Sequence, residues 1–223
     1  GQGRQSGVLR RQPWSILSPV YNEPMPSLMD LPFSDACERN KGPILEVLRT
    51  AFADCARVVE IGSGTGQHAV HFARQLPHLQ WQATDRAEYL PQLAARIAAE
   101  GPPNLASPVE LDVLQEPWPD LRADAVFTAN TLHIMSWPAV EAFLAGLPRL
   151  LEPGGVLAIY GPFKYGGRFT TDSNAAFDAM LRERDPQSGL RDFEAVNALA
   201  EAARLKLVTD HAMPANNQLL VWR

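Results

Sequence analysis

Hydrophobic positions along this chain alternate between two periods. Ile44, Leu45, Leu48, Ala51 and Phe52 recur at the spacing of one buried helix face. Asp35 and Glu38 have capping-box spacing, so a helix is expected to open at Asp35 and to restart at Pro43, a residue suited to a first turn. Arg57–Ile61 reads as a short strand that runs into glycines, and a helix follows from about Gly66 to Gln75. Residues 79–84 alternate as a strand should. Residues 87–100 are rich in Ala, Leu and Glu and form a helix closed by Gly101-Pro102. Strands are expected at 109–111, 124–128 and 156–160, with a helix over 139–151 ending at Pro153-Gly154-Gly155. Helices follow near 174–184 and 193–204, and 205–212 with 218–222 read as a terminal hairpin. Strands alternating with helices define an α/β protein, a doubly wound, mostly parallel sheet with helices on both faces.

The composition fits a single such domain. Of 223 residues, 46% are hydrophobic and 20% charged, which excludes a disordered or coiled-coil chain. The net charge of −5 gives no general attraction to nucleic acid. No apolar run approaches the roughly 20 residues of a membrane span. Two cysteines, Cys37 and Cys55, do not make a disulfide framework and point to a reducing, cytoplasmic setting. Residues 1–22 carry Arg4, Arg10 and Arg11 with no acid. A targeting presequence has that composition, but without an initiator Met a loose arm is the expectation. Prolines 13, 19, 24, 26 and 32 keep the segment extended, so residues 1–34 are expected as an arm and 35–223 as the folded domain.

The strongest chemical signal is Glu60-Ile-Gly62-Ser63-Gly64-Thr-Gly66 between a strand and a helix. Glycines let backbone approach a ligand, and the following helix directs its positive end toward an anion. The dinucleotide fingerprint needs a glycine where Gln67 stands, and the Gly-Lys-Ser/Thr of a phosphate loop is missing. Glu60 would repel a phosphate but could order the turn or attract an ammonium group. Two more acids close strands. Asp85 can accept both hydroxyls of a ribose, and Asp112 can accept from an exocyclic amine such as that of adenine. Three acids at three successive strand ends beside a glycine turn favour a ligand site.

These residues resemble the class I S-adenosylmethionine-dependent methyltransferases. Glu60–Gly66 is similar to their first motif, Asp85 to their ribose acid and Asp112-Val113 to their adenine contact, while Asn130 matches the end of their fourth strand. Leu151-Glu-Pro-Gly-Gly-Val156 is similar to the turn before their fifth strand. The resemblance narrows to a small family related to methyltransferase-like protein 26, the domain of unknown function 938. Its marks are Glu38-Arg39-Asn40-Lys41-Gly-Pro43, Gly62–His68, Ala129-Asn130-Thr-Leu-His133, Tyr160-Gly-Pro-Phe-Lys164 and Met213-Pro-Ala-Asn216-Asn217. The resemblance implies a Rossmann-like sheet of seven strands, the last antiparallel, and S-adenosyl-L-methionine as cofactor. It implies Asn40, Glu60, Gly62, Ser63, Gly64, Gly66, Asp85, Arg86, Asp112, Val113 and Asn130 as cofactor contacts, and supplies no acceptor.

A methyltransferase must align a nucleophile with the S–CH3 bond and exclude water; such positioning supplies roughly 7–11 kcal/mol. His133 is the candidate base or acceptor-binding donor, although a helix-start histidine is an equal reading. Tyr160 could place its ring near the sulfonium for roughly 0.5–2 kcal/mol of cation–π attraction, or pack in the core. Lys164 could bind an acidic acceptor. Glu38, Arg39, Asn216 and Asn217 are candidates for acceptor binding, with Arg39 or Asn40 able to take the cofactor carboxylate. His68 and His71 lie one turn apart without a third ligand nearby, so no metal is expected. The expected function is methyl transfer to a small molecule, with neither nucleic acid nor membrane as partner and the oligomeric state unread. The rival readings are a non-catalytic binding module for S-adenosylmethionine or S-adenosylhomocysteine, and a nicotinamide oxidoreductase.

Overall fold

In the computed structural model, which describes residues 31–223, the first helix opens on a different cap from the one its acids suggest. Helix α1 spans Asp35–Ala51, and Ser34 caps it, its Oγ accepting from the Cys37 N–H at 3.3 Å. Asp35 falls inside the first turn, where its charge meets the positive end of the helix dipole. Glu38 reaches sideways, accepting from Gln67 Nε2 at 2.9 Å and pairing with Lys41. No restart occurs at Pro43; the helix runs through it, without the N–H that would bond the Arg39 carbonyl. Ser34→Ala should therefore cost about 1 kcal/mol in urea unfolding, whereas an unchanged midpoint would return the cap to Asp35.

The expected arm lies outside the described residues except for its last four positions. There, Leu31 is buried and the Pro32 carbonyl accepts from the buried Arg96 at 2.6 Å.

The rest of the chain alternates as its pattern implies. Strand β1 (Arg57–Ile61) has the expected bounds, and α2 (Gln67–Gln75) follows the glycine turn. Next come β2 (Gln80–Asp85), α3 (Leu90–Glu100), β3 (Val109–Glu110), β4 (Ala123–Ala129) and α4 (Trp137–Leu150). Strand β5 (Leu151–Gly161) begins where α4 ends. The expected turn at Pro153–Gly155 is instead an irregularity within it: Ala123 pairs with Leu151, and Ala125 already pairs with Val156. Beyond it lie β6 (Phe163–Tyr165), β7 (Arg168–Phe169), α5 (Asp172–Arg184), β8 (Arg191–Asp192) and α6 (Phe193–Ala202). The terminal hairpin is β9 (Leu207–Met213) and β10 (Asn217–Trp222).

The main sheet has seven strands in the order β3-β2-β1-β4-β5-β10-β9. Strand β10 is antiparallel to both of its neighbours, while the other pairings are parallel. A second sheet, β7-β6-β8, was not expected from the pattern. Alternate residues of β1 and β4 feed two cores. Val58, Ala125 and Phe127 meet α1 and α2 through Ile44, Leu48 and Phe72. Val59, Ile61 and Val126 meet Phe143, Leu147 and Trp222 on the opposite face. No described helix is long and apolar enough to cross a membrane.

Candidate functional site

Strand order reverses between β1 and β4, so a crevice opens above their carboxyl ends. Buried hydroxyls on the neighbouring strands allow the chain to leave the sheet there. Thr84 Oγ1 donates to the Glu60 carbonyl at 2.7 Å and Thr128 Oγ1 to the Ile61 carbonyl at 2.8 Å. Gly62 and Gly66 serve packing: a Cβ would meet Thr131 Cγ2 at 2.9 Å at the first and Leu93 Cδ1 at 2.8 Å at the second. Gly64 differs. Its φ is +54° and a Cβ there would meet nothing within 4 Å, so bare main chain faces open space.

Asp85 ties this turn to the end of β2. Its Oδ2 accepts from the Gly64 N–H at 2.7 Å and its Oδ1 from the Arg86 N–H at 2.8 Å. Burial raises its carboxyl, and the two N–H groups oppose that shift. Each oxygen retains acceptor capacity for a donor in the crevice. Beneath the turn, Glu60 is buried and accepts from Trp81 Nε1 at 3.0 Å. Burial pushes its carboxyl up to about 7, against the indole N–H. Glu60 braces the turn from below and does not line the crevice. Ser63 Oγ is buried and has no hydrogen-bond partner among the described residues.

A cavity of about 460 Å3 lies over the turn, with Asp85, Arg86 and Tyr89 on one side and Gly62, Asn130 and Thr131 on another. Asp112, Val113 and Leu114 also line it, with Leu111 and Ile134 adding apolar wall. Asp112 partly shapes its own loop, accepting from the Leu114 N–H at 2.9 Å and from Gln115 Nε2 at 3.3 Å. Arg86 pairs with Glu88 at 2.7 Å and lies over the Tyr89 ring. The result is a slot with apolar walls, three acids (Asp85, Asp112 and Asp185) and one open stretch of main chain.

A second cavity of about 540 Å3 adjoins it, and Asn130 lines both. Asn130 follows β4 at φ +56°, and its N–H donates to the Tyr160 carbonyl at 2.9 Å. Arg39, Asn40, Tyr160, Asn174, Asn216 and Asn217 line this cavity. Asn40 is oriented from behind: its Oδ1 accepts from His68 Nε2 at 2.6 Å, which directs its NH2 elsewhere. His68 is buried, and burial holds its imidazole down to about 4. Burial of Tyr160 raises its phenol, and the neighbouring Asn40 and Asn217 amides counter this. Asn217 Nδ2 donates to the Pro214 carbonyl at 3.1 Å, and Asn174 Nδ2 to the Asn216 carbonyl at 3.1 Å. Thus the N-terminal helix and the terminal hairpin wall the same space.

Six sequence candidates lie off both cavities: Glu60, Ser63 and Gly66 in the turn itself, and His133, Lys164 and Glu38. His133 is buried with its ring 5.4 Å from that of Phe177, and burial holds it down to about 4. Lys164 pairs with Asp192 at 3.5 Å in the small sheet and lies over Phe169. Glu38 is engaged by Gln67 and Lys41 on the other side of α1. Two site residues escaped the sequence reading. Gln67 clamps α1 onto the turn, its Oε1 accepting from the Ser34 N–H at 2.7 Å and its Nε2 donating to Glu38. Asn174 is buried in the second cavity's wall, and its place one turn into α5 gave no signal of that.

This sheet order, with its glycine turn at the reversal point, is the class I methyltransferase fold. An O-methyltransferase family protein from Burkholderia thailandensis superposes with a TM-score of 0.72 at 20% identity, over 85% of this chain and 57% of that one. Human N-acetylserotonin methyltransferase in complex with SAM gives 0.71 at 16% identity, over 85% and 52%. The mitomycin 7-O-methyltransferase MmcR gives 0.71 at 17% identity, over 84% and 54%. This chain spans little more than half the length of each. Residues 31–223 match the family described as "Protein of unknown function (DUF938)", and the chain belongs to that family.

Proposed function

We propose that the protein is an S-adenosylmethionine-dependent methyltransferase acting on a small-molecule acceptor by in-line displacement. One observation carries the reading: Asp85, Asp112 and the open main chain at Gly64 line a single slot that meets a polar cavity at Asn130. The residues fit the cofactor. Asp85 and Asp112 would take the ribose and the purine edge, Val113 would pack against the base, and the open main chain at Gly64 would face the amino-acid tail. Bound there, the cofactor supplies an electrophilic methyl group on a sulfonium.

The protein's part is then positioning. Asn130 fixes the junction where donor and acceptor meet, and the α1 helix and terminal hairpin screen it from water. Tyr160 and the asparagine amides orient the acceptor. Arg86 guards the outer end of the slot.

Calorimetric titration tests the cofactor. S-adenosylmethionine and S-adenosylhomocysteine should both saturate well below millimolar concentration, and NAD should not bind. No saturation by either would end the reading. Saturation without transfer of a labelled methyl group to any metabolite would leave the non-catalytic binding module.

A further inference from the structure

The two cavities differ in chemistry. The nucleoside slot is acidic, with Asp85 and Asp112 on its wall. The second cavity is lined by Asn40, Asn130, Asn174, Asn216 and Asn217, of which Asn174 and Asn217 already spend their NH2 groups on neighbouring oxygens, together with one guanidinium from Arg39. Among the described residues, no carboxylate, histidine or thiol lines it, and Arg39 forms no ion pair.

That inventory selects among acceptors. An ammonium group would meet a guanidinium and no anion to hold it. An alcohol or phenol must lose a proton during transfer, and the described wall offers no base to take it. Tyr160 is kept protonated by its burial, and His133 is turned away against Phe177. A carboxylate needs no base, because it is already ionised at neutral pH. It is also the partner that a guanidinium and NH2 donors recognise best. Asn40 is prepared for that task, since His68 occupies its carbonyl oxygen and leaves its NH2 to bond elsewhere.

Resting on the methyl-transfer reading, we propose that the acceptor is a small carboxylic acid, bound through Arg39 and the Asn40 amide and converted to its methyl ester. One carboxylate oxygen forms a bond to the methyl carbon as the C–S bond breaks, and the electron pair of that bond stays on sulfur. The negative charge of the acid and the positive charge of the sulfonium cancel, giving a neutral ester and a neutral thioether. No proton moves, which matches a cavity with no base among its described lining residues.

The test combines label chemistry with binding. The protein is incubated with S-adenosylmethionine labelled in its methyl group and a panel of small aliphatic and aromatic carboxylic acids, beside the matching alcohols, phenols and amines. A protein-free metabolite extract is run in parallel. Methyl esters release volatile labelled methanol in mild alkali, whereas ethers and methylamines do not. Base-labile label from the acids or the extract is expected. For an accepted acid, titrated into protein saturated with S-adenosylhomocysteine, Arg39→Gln should weaken binding about tenfold or more, with Arg39→Lys intermediate. Affinity for S-adenosylhomocysteine itself should stay unchanged. Label only in base-stable products, or no labile product from panel and extract while the nucleoside still binds, overturns the carboxylate and leaves the cofactor reading standing. Weaker nucleoside binding in Arg39→Gln, with the acid unaffected, also overturns it, because Arg39 would then hold the donor's own carboxylate. Loss of nucleoside binding by the parent protein is a different failure and removes the reading beneath.

Discussion

Asp85→Ala should weaken S-adenosylhomocysteine binding at least about a hundredfold, the scale of two lost charge-assisted hydrogen bonds. The side chain has two duties. It holds the turn through the Gly64 and Arg86 N–H groups, and it offers its remaining lone pairs to the slot. Alanine ends both, leaving two N–H groups without their acceptor. Asp85→Asn separates them: its one carbonyl oxygen can keep a single N–H bond, while its NH2 turns a donor toward hydroxyls that need an acceptor. Stability should therefore drop less in Asp85→Asn than in Asp85→Ala, with binding weakened in both. Calorimetry on each variant decides, and an Asp85→Ala affinity within a few-fold of the parent would remove the ribose role.

Stability should pass through a maximum near pH 6.5. His68 and His133 are each held by burial at about 4 against an ordinary 6.5. Between those values the unfolded chain binds two protons that the folded protein does not, so acidification through this window costs up to about 3 kcal/mol per histidine. Glu60 has the opposite sign. Its carboxyl is raised by burial to about 7 from 4.5, so the folded state keeps a proton that the unfolded state releases. Its contribution is intact below 4.5 and fades as pH rises through 7, again by about 3 kcal/mol. Below 6.5 the two histidines, joined by His71, which burial also lowers, outweigh Glu60 and the burial-raised Asp85, and above it the Glu60 contribution fades. Urea midpoints measured across pH 4 to 8 should show a steep acid limb and a shallow alkaline decline. Glu60→Gln should abolish the decline and steepen the acid limb. Midpoints that stay level between pH 4 and 6.5 would mean that the two imidazoles are not sealed from water.

The features readable in the sequence were those written in local chemistry. β1 announces itself as an apolar run stopped by glycine, and Asp85 and Asp112 as acids at strand ends. These positions do converge on one slot. What escaped depended on partners far along the chain. Ser34 and Asp35 are both good caps, and the choice of Ser34 goes with Gln67, which holds the Ser34 N–H at 2.7 Å from 33 positions away. Being four residues past the end of β4 places His133 near the crevice mouth but does not say which way it faces. Phe177 and Arg191, from later elements, enclose it. Lys164 looks free until Asp192 arrives beside it across β6 and β8. Strands as short as Arg168–Phe169 and Arg191–Asp192 contain no period to detect.

Asn130 stands at the seam of the two cavities, in a left-handed backbone conformation that its neighbour Tyr160 helps to fix. On the proposed reading, a residue in that place touches both occupants and can couple their binding. Whatever factor the nucleoside imposes on acceptor affinity, the acceptor must return to the nucleoside, because the thermodynamic cycle closes. On the proposed reading, if that factor favours joint binding, departure of the methylated product would loosen the spent thioether by the same factor.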